Sequence, residues 1–351
     1  MNKPSLDERR KKILKALVRI YIQTGEPVGS ARLYKAHRFG VSAATIRNIL
    51  SELEKEGYLT QPHTSAGRVP SDIAYRFFVD SISDRKKLPP EEIEQIRQSL
   101  SGEDSTDKLM MRTSHLLSAT TRNLAIVVSP PNSQITLKHI EFIKLDNHRL
   151  LVVLIASSSH VQHKVVKISE EFSQEELNQA SRYLSETFQG KTFDTIGKEL
   201  LVLMSQEQAR YNTLLKKATV LWRESLSRYN EEKSEEVYLE GASHLMAKPE
   251  FSDAKRLQEL LRTIEEKGRL VKLISACIDS QPYGLTILIG RETNLEEMEN
   301  CTLIAAPLGY GDVVVGSVGI LGSTRMEYEK AIMFVEGVAK VFGNIVQGFN
   351  A

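Results

Sequence analysis

Residues 42–57 read SAATIRNILSELEKEG, and their spacing predicts one helix with two different faces. Its apolar face carries Ile46, Ile49, Leu50 and Leu53. Its opposite face carries small or polar side chains, namely Ala43, Ala44, Arg47, Asn48 and Ser51. Small side chains let a helix approach the floor of the DNA major groove, where Arg and Asn pair with base edges. We therefore interpret this segment as a recognition helix, and the alternative is an ordinary surface helix.

Residues that favour helix ends flank this segment. Ser42 is a favourable N-cap residue. Gly57 supplies a left-handed residue that ends the helix, and Tyr58 is placed to pack back on Leu53. Because both ends are fixed, we expect a rigid helix.

Each side chain on the exposed face has an expected role. Arg47 and Asn48 are the candidates for base contacts, and Thr45 is the candidate for a phosphate contact. The remaining residues are expected to begin the helix or line the groove: Ser42, Ala43, Ala44 and Ser51.

Two predicted helices precede the recognition helix. Ser5 and Glu8 have the spacing of a capping box, and Gly25 ends the helix that they begin. A shorter helix is expected over about residues 30–36, with Leu33 turned inward. Helix, helix, turn and helix is the order of a helix-turn-helix domain.

A short hairpin is expected after the recognition helix. Residues 58–59 and 68–69 read as two strands, and residues 63–67, HTSAG, read as the loop between them. Such a hairpin would be the wing of a winged helix-turn-helix, and the alternative is a solvated turn. The wing candidates for DNA contact are His63, Thr64, Ser65 and Arg68.

The composition is that of an ordinary globular protein. Of the 351 residues, 41% are hydrophobic and 26% are charged. We find no apolar run long enough to span a bilayer, and the N-terminal residues lack the apolar core of a signal peptide. We expect a cytoplasmic protein with no membrane partner.

Charge is distributed unevenly along the chain, although the net charge is only +1. Residues 1–80 carry 14 Lys and Arg against 8 Asp and Glu, whereas the remainder carries 32 against 37. The basic part coincides with the predicted helix-turn-helix. This asymmetry agrees with a phosphate-binding surface in that region.

Residue groups typical of catalysis are missing from the sequence. His139 and His148 flank a predicted turn, but no Cys, Asp or Glu lies at ligand spacing from them. The glycines of residues 309–322 alternate with Val and Ile as in a strand, rather than opening a helix as a phosphate loop does. Cys277 and Cys301 read as core residues. We expect no enzyme activity, no metal and no cofactor.

Beyond the N-terminal region, the sequence alternates between predicted strands and helices. Predicted strands over residues 124–168 and 285–321 enclose a helical stretch, which indicates an α+β fold with an antiparallel sheet and helices on one side of it. A long helix is expected over residues 197–229. Its apolar stripe is either ordinary core or a self-association face, and the dimerisation candidates on it are Met204, Tyr211, Leu214, Ala218, Leu221 and Trp222.

Several segments together resemble one protein family. EPVGSARL, the run SAATIRNILSELEKEGYLTQPHTSAGRVPSD, and the later EGASHLMAKPEF and PLGYGDVVVGSVGILGSTRMEYEKAI are similar to the HrcA family of bacterial heat-inducible transcription repressors. HTSAGRVPSD is the most specific of these, because generic winged helices lack it. The resemblance covers essentially the whole chain.

The resemblance implies a multidomain α+β architecture with three kinds of unit. A winged helix-turn-helix is expected over residues 1–83. The charged residues and the paired prolines Pro89 and Pro90 that follow break the helical pattern, so a linker is expected over 84–104. A GAF-like domain would occupy 105–189 and 269–351, interrupted by a mainly helical dimerising domain over 190–268.

The resemblance also implies the function and the partners. The protein would bind as a homodimer to the CIRCE inverted repeat in double-stranded DNA. It would thereby repress class I heat-shock operons such as groE and dnaK, with its activity modulated by the GroEL chaperonin. Two alternatives remain: a metabolite-responsive regulator whose GAF-like domain binds a ligand, and an enzyme that carries a DNA-binding domain.

Overall fold

The computed structural model describes residues 6–37, 39–64, 66–82, 88–103, 106–129, 136–156, 161–205, 213–226, 236–280, 284–310 and 313–349. The N-terminal region contains helices and one short hairpin. In chain order these elements are α1 (Glu8–Thr24), α2 (Ser30–Ala36), α3 (Ala43–Lys55), β1 (Leu59–Thr60), β2 (Val69–Pro70) and α4 (Asp72–Asp80).

The first helix begins later than the sequence suggested. Its N-cap is Asp7, whose carboxylate accepts a hydrogen bond from the backbone N–H of Arg10 at 2.8 Å. Ser5, the predicted N-cap, lies outside the described residues, and Glu8 is the first helical residue. Asp is as good an N-cap as Ser, so local chemistry alone did not separate the two positions. Gly25 ends the helix in the left-handed region, as predicted.

The region expected to be a linker contains a packed helix. Helix α5 spans Pro90–Leu100 and contacts α6 (Thr106–Thr121) and the last helix of the chain. Its Ile96 and Leu100 are buried. The paired prolines suggested a break, but proline is favourable at the first positions of a helix, where its missing N–H is not needed. The predicted linker, residues 84–104, is therefore helical over Pro90–Leu100.

Five of the described strands form one antiparallel sheet, in the spatial order β7-β3-β10-β9-β8. Their bounds are Leu124–Val128 for β3, Val237–Glu240 for β7, Thr286–Ile289 for β8, Cys301–Tyr310 for β9 and Val313–Ser323 for β10. The helices around this sheet are α5 and α6, then α10 (Ala242–Met246), α11 (Ala254–Glu265), α12 (Lys267–Ser280) and α13 (Tyr328–Phe349).

Helices cover both faces of the five-stranded sheet. Side chains alternate along β3, so Ala125 and Val127 pack with α6 and α13, whereas Leu124 and Ile126 pack with α11 and α12. Every residue of β3 is buried. The sequence analysis expected helices on one side only. That expectation was wrong, because a strand that is apolar at every position indicates a sheet covered on both faces.

Three further strands form another sheet, which has a core of its own. Antiparallel strands β4 (Leu137–Lys144), β5 (Arg149–Ala156) and β6 (Val161–Lys167) pack against three helices. These helices are α7 (Gln174–Phe188), α8 (Phe193–Ser205) and α9 (Thr213–Leu226). This second unit is inserted in the chain between β3 and β7, which pair with each other in the first sheet.

The inserted unit differs from the one predicted for residues 190–268. It contains a sheet as well as helices, and within the described residues it runs from Leu137 to Leu226. The predicted bounds take in only its last two helices and add β7, α10 and α11, which belong to the five-stranded sheet layer. Alternating apolar strands look alike in sequence, so their pattern does not say which strands pair.

Candidate nucleic-acid interface

Helix α3 has the two faces that its sequence predicts. Ile46, Ile49, Leu50 and Leu53 are buried against the rest of the N-terminal region. On the opposite side Ser42, Ala44, Arg47 and Asn48 are exposed, whereas Ala43, Thr45 and Ser51 are partly exposed. Nothing in the described part of the chain covers this face.

The two longest polar side chains on this face are available to a ligand. Within the described residues, neither the Arg47 guanidinium nor the Asn48 amide makes a hydrogen bond or an ion pair. By contrast, the Ser51 hydroxyl donates to the backbone oxygen of Arg47 at 3.2 Å. Arg47 and Asn48 therefore keep their full hydrogen-bonding capacity for an outside partner.

The start of α3 is fixed by a hydrogen-bonded cap. Ser42 Oγ accepts a hydrogen bond from the backbone N–H of Thr45 at 3.2 Å, as an N-cap residue does. The same oxygen lies 3.0 Å from Thr45 Oγ1. The Thr45 hydroxyl therefore lies at the first turn of the helix and already has a neighbour inside the protein.

The end of α3 is a Schellman motif. Gly57 has a φ of +81°, its N–H bonds to Glu54 O at 3.0 Å, and the N–H of Tyr58 bonds to Leu53 O at 2.9 Å. Tyr58 is buried and leads directly into β1. Only residues 56–58 lie between α3 and β1, and their hydrogen bonds fix the position of the hairpin relative to the recognition-helix candidate.

The hairpin strands lie one residue later than predicted. Leu59 pairs with Pro70 and Thr60 with Val69. Arg68 instead exchanges two backbone hydrogen bonds with Val28, each 2.9 Å long. The hairpin is therefore attached both to α3 and to the segment that precedes α2.

The hairpin loop is held by a residue that the sequence analysis did not single out. Gln61 Nε2 donates to Thr64 O at 3.0 Å and to Ala66 O at 2.9 Å. His63 and Thr64 are exposed at the tip, and Ser65 lies outside the described residues. Hydrogen bonds from a side chain to the backbone leave no trace in the hydrophobic periodicity of a sequence. The role of Gln61 could therefore not be predicted from that pattern.

Gly67 lies where the hairpin passes closest to the chain before α2. A Cβ atom at Gly67 would lie 2.7 Å from Pro27 O and 2.5 Å from Val28 C. Only glycine permits such an approach of two backbones. The close approach of the two backbones thus requires glycine at position 67, and the sequence alone did not reveal this requirement.

Arg68, predicted on the returning strand as a candidate for DNA contact, has a carboxylate partner inside the protein. Its Nε lies 2.9 Å from Glu54 Oε2 on α3, and its side chain is only 17% exposed. The structure therefore places this cation between the hairpin and the helix rather than at the loop. Charge alone suggested a phosphate contact, because sequence does not show that a carboxylate lies opposite.

The N-terminal region docks on the five-stranded sheet through α4. The Arg76 guanidinium binds the Glu292 carboxylate, with Nε 2.9 Å from Oε1, and also donates from Nη2 to Ile287 O at 2.5 Å. Asp72 accepts a hydrogen bond from the Arg291 N–H at 3.1 Å, and burial raises the pKa of the Asp72 carboxyl. This contact leaves the exposed face of α3 uncovered.

Three of the six residues of the predicted dimerisation stripe are core residues in this fold. Ala218, Leu221 and Trp222 are buried in the inserted unit, and the Trp222 ring meets the Phe193 ring edge-on at 5.8 Å. Met204 and Leu214 are partly exposed, and Tyr211 lies outside the described residues. The three buried residues are therefore not a surface. Their helical spacing is the same for a core face and for an interface, and the sequence analysis left both open.

The described residues show no arrangement typical of catalysis. In the ranges that the structure covers, no group of three or more His, Cys, Asp or Glu side chains could hold a metal ion. Burial raises the pKa of the Cys277 thiol to about 11 and that of Cys301 to about 12. His139 Nδ1 lies 3.2 Å from Ser185 Oγ inside the inserted unit. No helix among the described residues is both long and apolar enough to cross a membrane.

Sequence relatives and a solved structure resemble this chain over nearly its full length. A relative from Geobacter sulfurreducens named heat-inducible transcription repressor HrcA is 39% identical, covering 98% of this chain and 99% of its own. A relative of the same name from Symbiobacterium thermophilum is 34% identical over 95% of this chain and 97% of its own. A crystal structure described as a hypothetical protein has a TM-score of 0.62 at 22% identity and 99% coverage of both chains, which indicates a shared fold.

A family match agrees with these relatives. The family described as HrcA protein C terminal domain matches residues 107–332, which include both sheets. Together with the relatives, the match shows that this chain belongs to the HrcA family of transcription repressors and is not an enzyme.

Proposed function

We propose that this chain represses transcription by inserting α3 into the major groove of double-stranded DNA. The observation that carries the proposal is the exposed face of α3, where Arg47 and Asn48 have no partner within the described residues. The caps at both ends fix the backbone from which these side chains extend. A backbone that is already ordered loses little conformational freedom on binding.

In this proposal residues 1–83 act as a winged helix-turn-helix. Arg47 and Asn48 contact base edges, while Ala43, Ala44 and Ser51 allow close approach to the groove floor. Ser42 and Thr45 lie at the helix N-terminus, which favours a nearby phosphate. His63, Thr64 and Ser65 are the wing residues that approach the DNA backbone. Arg68 supports α3 through Glu54 rather than contacting phosphate.

We further propose that the operator is the CIRCE inverted repeat upstream of class I heat-shock operons such as groE and dnaK. The relatives' name, heat-inducible transcription repressor, supports a heat-shock role. An inverted repeat is read by a twofold-symmetric homodimer, with half-sites about 34 to 36 Å apart or at multiples of that distance. By the same resemblance, we propose a cytoplasmic protein that the GroEL chaperonin modulates.

The division into domains is also part of the proposal. A GAF-like domain would be built on the five-stranded sheet, and the inserted unit between β3 and β7 would carry the dimer contact. The separate apolar core of the inserted unit supports its treatment as a module. Its partly exposed residues Met204 and Leu214 remain candidates for that contact.

The test of DNA recognition is an operator titration of the full chain with Arg47→Ala. If Arg47 makes a bidentate base contact, its loss should weaken specific binding by about 1 to 3 kcal/mol, or roughly 5- to 150-fold. A mobility-shift titration against CIRCE DNA and scrambled DNA measures this difference.

The matched control is Lys12→Ala, which removes one exposed cation from α1. We expect this control to leave the preference for CIRCE DNA over scrambled DNA unchanged. Equal operator affinity of the Arg47→Ala variant and the wild-type chain would contradict the assignment of α3 as the reading helix.

A further inference from the structure

A cavity of about 490 Å³ lies where the N-terminal region meets the five-stranded sheet layer. Ile22 of α1 forms one wall, the turn after α6 with Arg122 forms another, and the first turn of α13 with Lys330 closes a third side. Lys248 and Arg325 also line it. Its volume falls within the range of small-molecule sites, about 300 to 1,000 Å³.

The lining of this cavity is strongly cationic. Arg122, Lys248, Arg325 and Lys330 face a single carboxylate of the lining, that of Glu327. Like charges concentrated in one concave site repel one another and attract an anion. Repulsion among these cations destabilises the folded chain when no ligand is bound, so their clustering points to an anionic ligand.

Three of these cations have no carboxylate partner in the described part of the chain. Arg122 and Lys330 make no ion pair or hydrogen bond there, and both are exposed. Lys248 Nζ donates only to the amide oxygen of Asn123, at 3.2 Å. Burial lowers the pKa of Lys248, and this effect exceeds the opposing attraction of the Glu250 and Glu327 carboxylates, which are near it but not ion-paired with it. Arg325 differs from the other three, because it is paired with Glu250.

Arg325 connects the cavity to the N-terminal region. Its guanidinium lies 5.8 Å from the centre of the Tyr21 ring and against Gly25, where a Cβ would lie 2.3 Å from Nη1. Its Nε is buried and has no hydrogen-bond acceptor among the described residues. A buried N–H donor without an acceptor is uncommon, and an anion in the adjoining cavity could supply one.

The backbone at Arg122 is in an unfavourable conformation. Its φ of +52° lies in the left-handed region, which non-glycine residues rarely adopt. The adjacent Asn123 is buried and donates from Nδ2 to Thr121 O at 2.9 Å, which holds the turn. The turn therefore presents the Arg122 side chain at the edge of the cavity at some conformational expense.

We propose that this cavity binds a small organic anion that carries phosphate groups. The unpaired cations Arg122, Lys248 and Lys330 would bind the phosphates, together with backbone N–H groups at the first turn of α13. Ile22, Met326 and Ala331 provide an apolar wall for an organic group.

Binding there would connect the DNA-binding region to the rest of the chain. The cavity wall includes Ile22 of α1, and Arg325 holds the end of the same helix. A ligand that contacts both sides would stabilise the docked arrangement of α1. This coupling rests on the proposed DNA-binding function, whereas the binding of the anion itself does not.

The test is isothermal titration calorimetry of the full chain with ATP, with inorganic pyrophosphate and with uncharged adenosine. The salt is chloride at about 0.15 M, which screens non-specific attraction. We expect saturable binding of ATP and pyrophosphate and none of adenosine. The pocket variant combines Arg122→Asn, which tolerates the left-handed backbone, with Lys330→Gln. We expect it to bind at least about tenfold more weakly, as the loss of 1.4 kcal/mol would give.

A charge-matched control combines Lys216→Gln with Arg223→Gln, two exposed positions on α9. It should bind like the wild-type chain. Absence of saturable binding to ATP and pyrophosphate, or equal affinities of all three proteins, would overturn the proposal. A mobility-shift titration without ligand separates the two functions: if the pocket variant loses operator binding and the wild-type chain binds neither anion, the cations serve DNA instead, and the proposal fails.

Discussion

Arg68 and Glu54 form a polar contact between the hairpin and α3. The two side chains are 17% and 31% exposed, so water screens their attraction less than on an open surface. The backbone of Arg68 also pairs with Val28. One residue thus fixes the hairpin to the helix and to the segment before α2.

Removal of the Glu54 charge should loosen the hairpin. We expect Glu54→Gln to weaken local stability by about 0.5 to 1.5 kcal/mol, because the partner guanidinium would be left partly buried. Amides of residues 59–70 should then exchange with deuterium roughly 2- to 10-fold faster. Hydrogen exchange with mass spectrometry measures this, with Glu91→Gln on α5 as the control. Unchanged exchange in the hairpin would show that the contact contributes nothing.

Residue identity alone predicted the exposed face of α3 but not the surroundings of Arg68. The exposure of Arg47 and Asn48 follows from the helical period, because the opposite face of α3 is apolar and must be buried. The environment of Arg68 depends on which side chain lies opposite it, and tertiary packing determines that. A local pattern therefore identifies the exposed face of α3 but not the residues that support this helix.

At the scale of single elements, helix ends follow directly from chemistry. Gly57 ends α3 with a φ of +81°, and its missing Cβ would approach nothing closer than Ile73 Cδ1 at 4.0 Å. The requirement at this position is therefore conformational rather than steric. The Schellman motif that it forms determines where β1 begins.

Replacement of Gly57 should test this conformational requirement. We expect Gly57→Ala to destabilise the N-terminal region by about 1 to 2 kcal/mol, because a left-handed backbone is less favourable for alanine than for glycine. Asparagine tolerates that region better, so Gly57→Asn should lose less. Differential scanning calorimetry can compare the three proteins. Equal losses for Ala and Asn would indicate a steric cause instead.

The buried stripe residues of α9, Ala218, Leu221 and Trp222, belong to the core of the inserted unit, and a second prediction tests this core. We expect Phe193→Ala to destabilise the inserted unit by about 3 to 5 kcal/mol, because it removes a buried ring that packs on Trp222. The chain has one tryptophan, so its fluorescence reports on this unit alone. Urea titrations should show the emission of Trp222 shifting at lower denaturant concentration.

Leu201→Ala is the matched control for that experiment, since Leu201 is 67% exposed on the same helix as Phe193. We expect its effect to stay within about 0.5 kcal/mol. A similar shift for both variants would mean that Phe193 is no more important to the core than an exposed leucine. That result would reopen the assignment of the stripe as a surface.

At the scale of the whole molecule, α4 attaches the N-terminal region to the five-stranded sheet. Burial alone would raise the pKa of the Glu292 carboxyl, but hydrogen bonds from Arg76 and from the Ile289 N–H lower it below its ordinary value. A carboxyl with a lowered pKa stabilises the folded state above its ordinary pKa. This stabilisation is lost as the pH falls through the lowered value.

The docking contact should therefore depend on pH through Glu292. At pH 7 we expect Glu292→Gln to melt at a lower temperature than the wild-type chain, and the difference should begin to shrink only as the pH falls below the ordinary Glu pKa of about 4.3. Calorimetry on both proteins measures the difference. Glu259→Gln on α11 is the control. A difference that stays constant with pH would contradict the role of the ion pair.

The sequence predicted most individual strands but not their assembly. Strands β3 to β6, β8 and β9 lie within the two stretches predicted to contain strands, and β10 extends two residues past the second, whereas β7 lies in the stretch predicted to be helical. The division into two sheets depends on pairing between distant segments such as β3 and β10, and neither periodicity nor turn residues encode it.

The position of β3 in the middle of its sheet has a consequence for how the chain matures. Val128 is paired with Val237, and Leu124 with Leu321, so both neighbours of β3 come from far downstream. As the polypeptide leaves the ribosome, this strand stays without hydrogen-bonding neighbours until the inserted unit and then β10 have been synthesised. Distant pairings of this kind close slowly. Nascent chains of this protein therefore expose an apolar strand until those partners have emerged, and this exposure favours aggregation during synthesis.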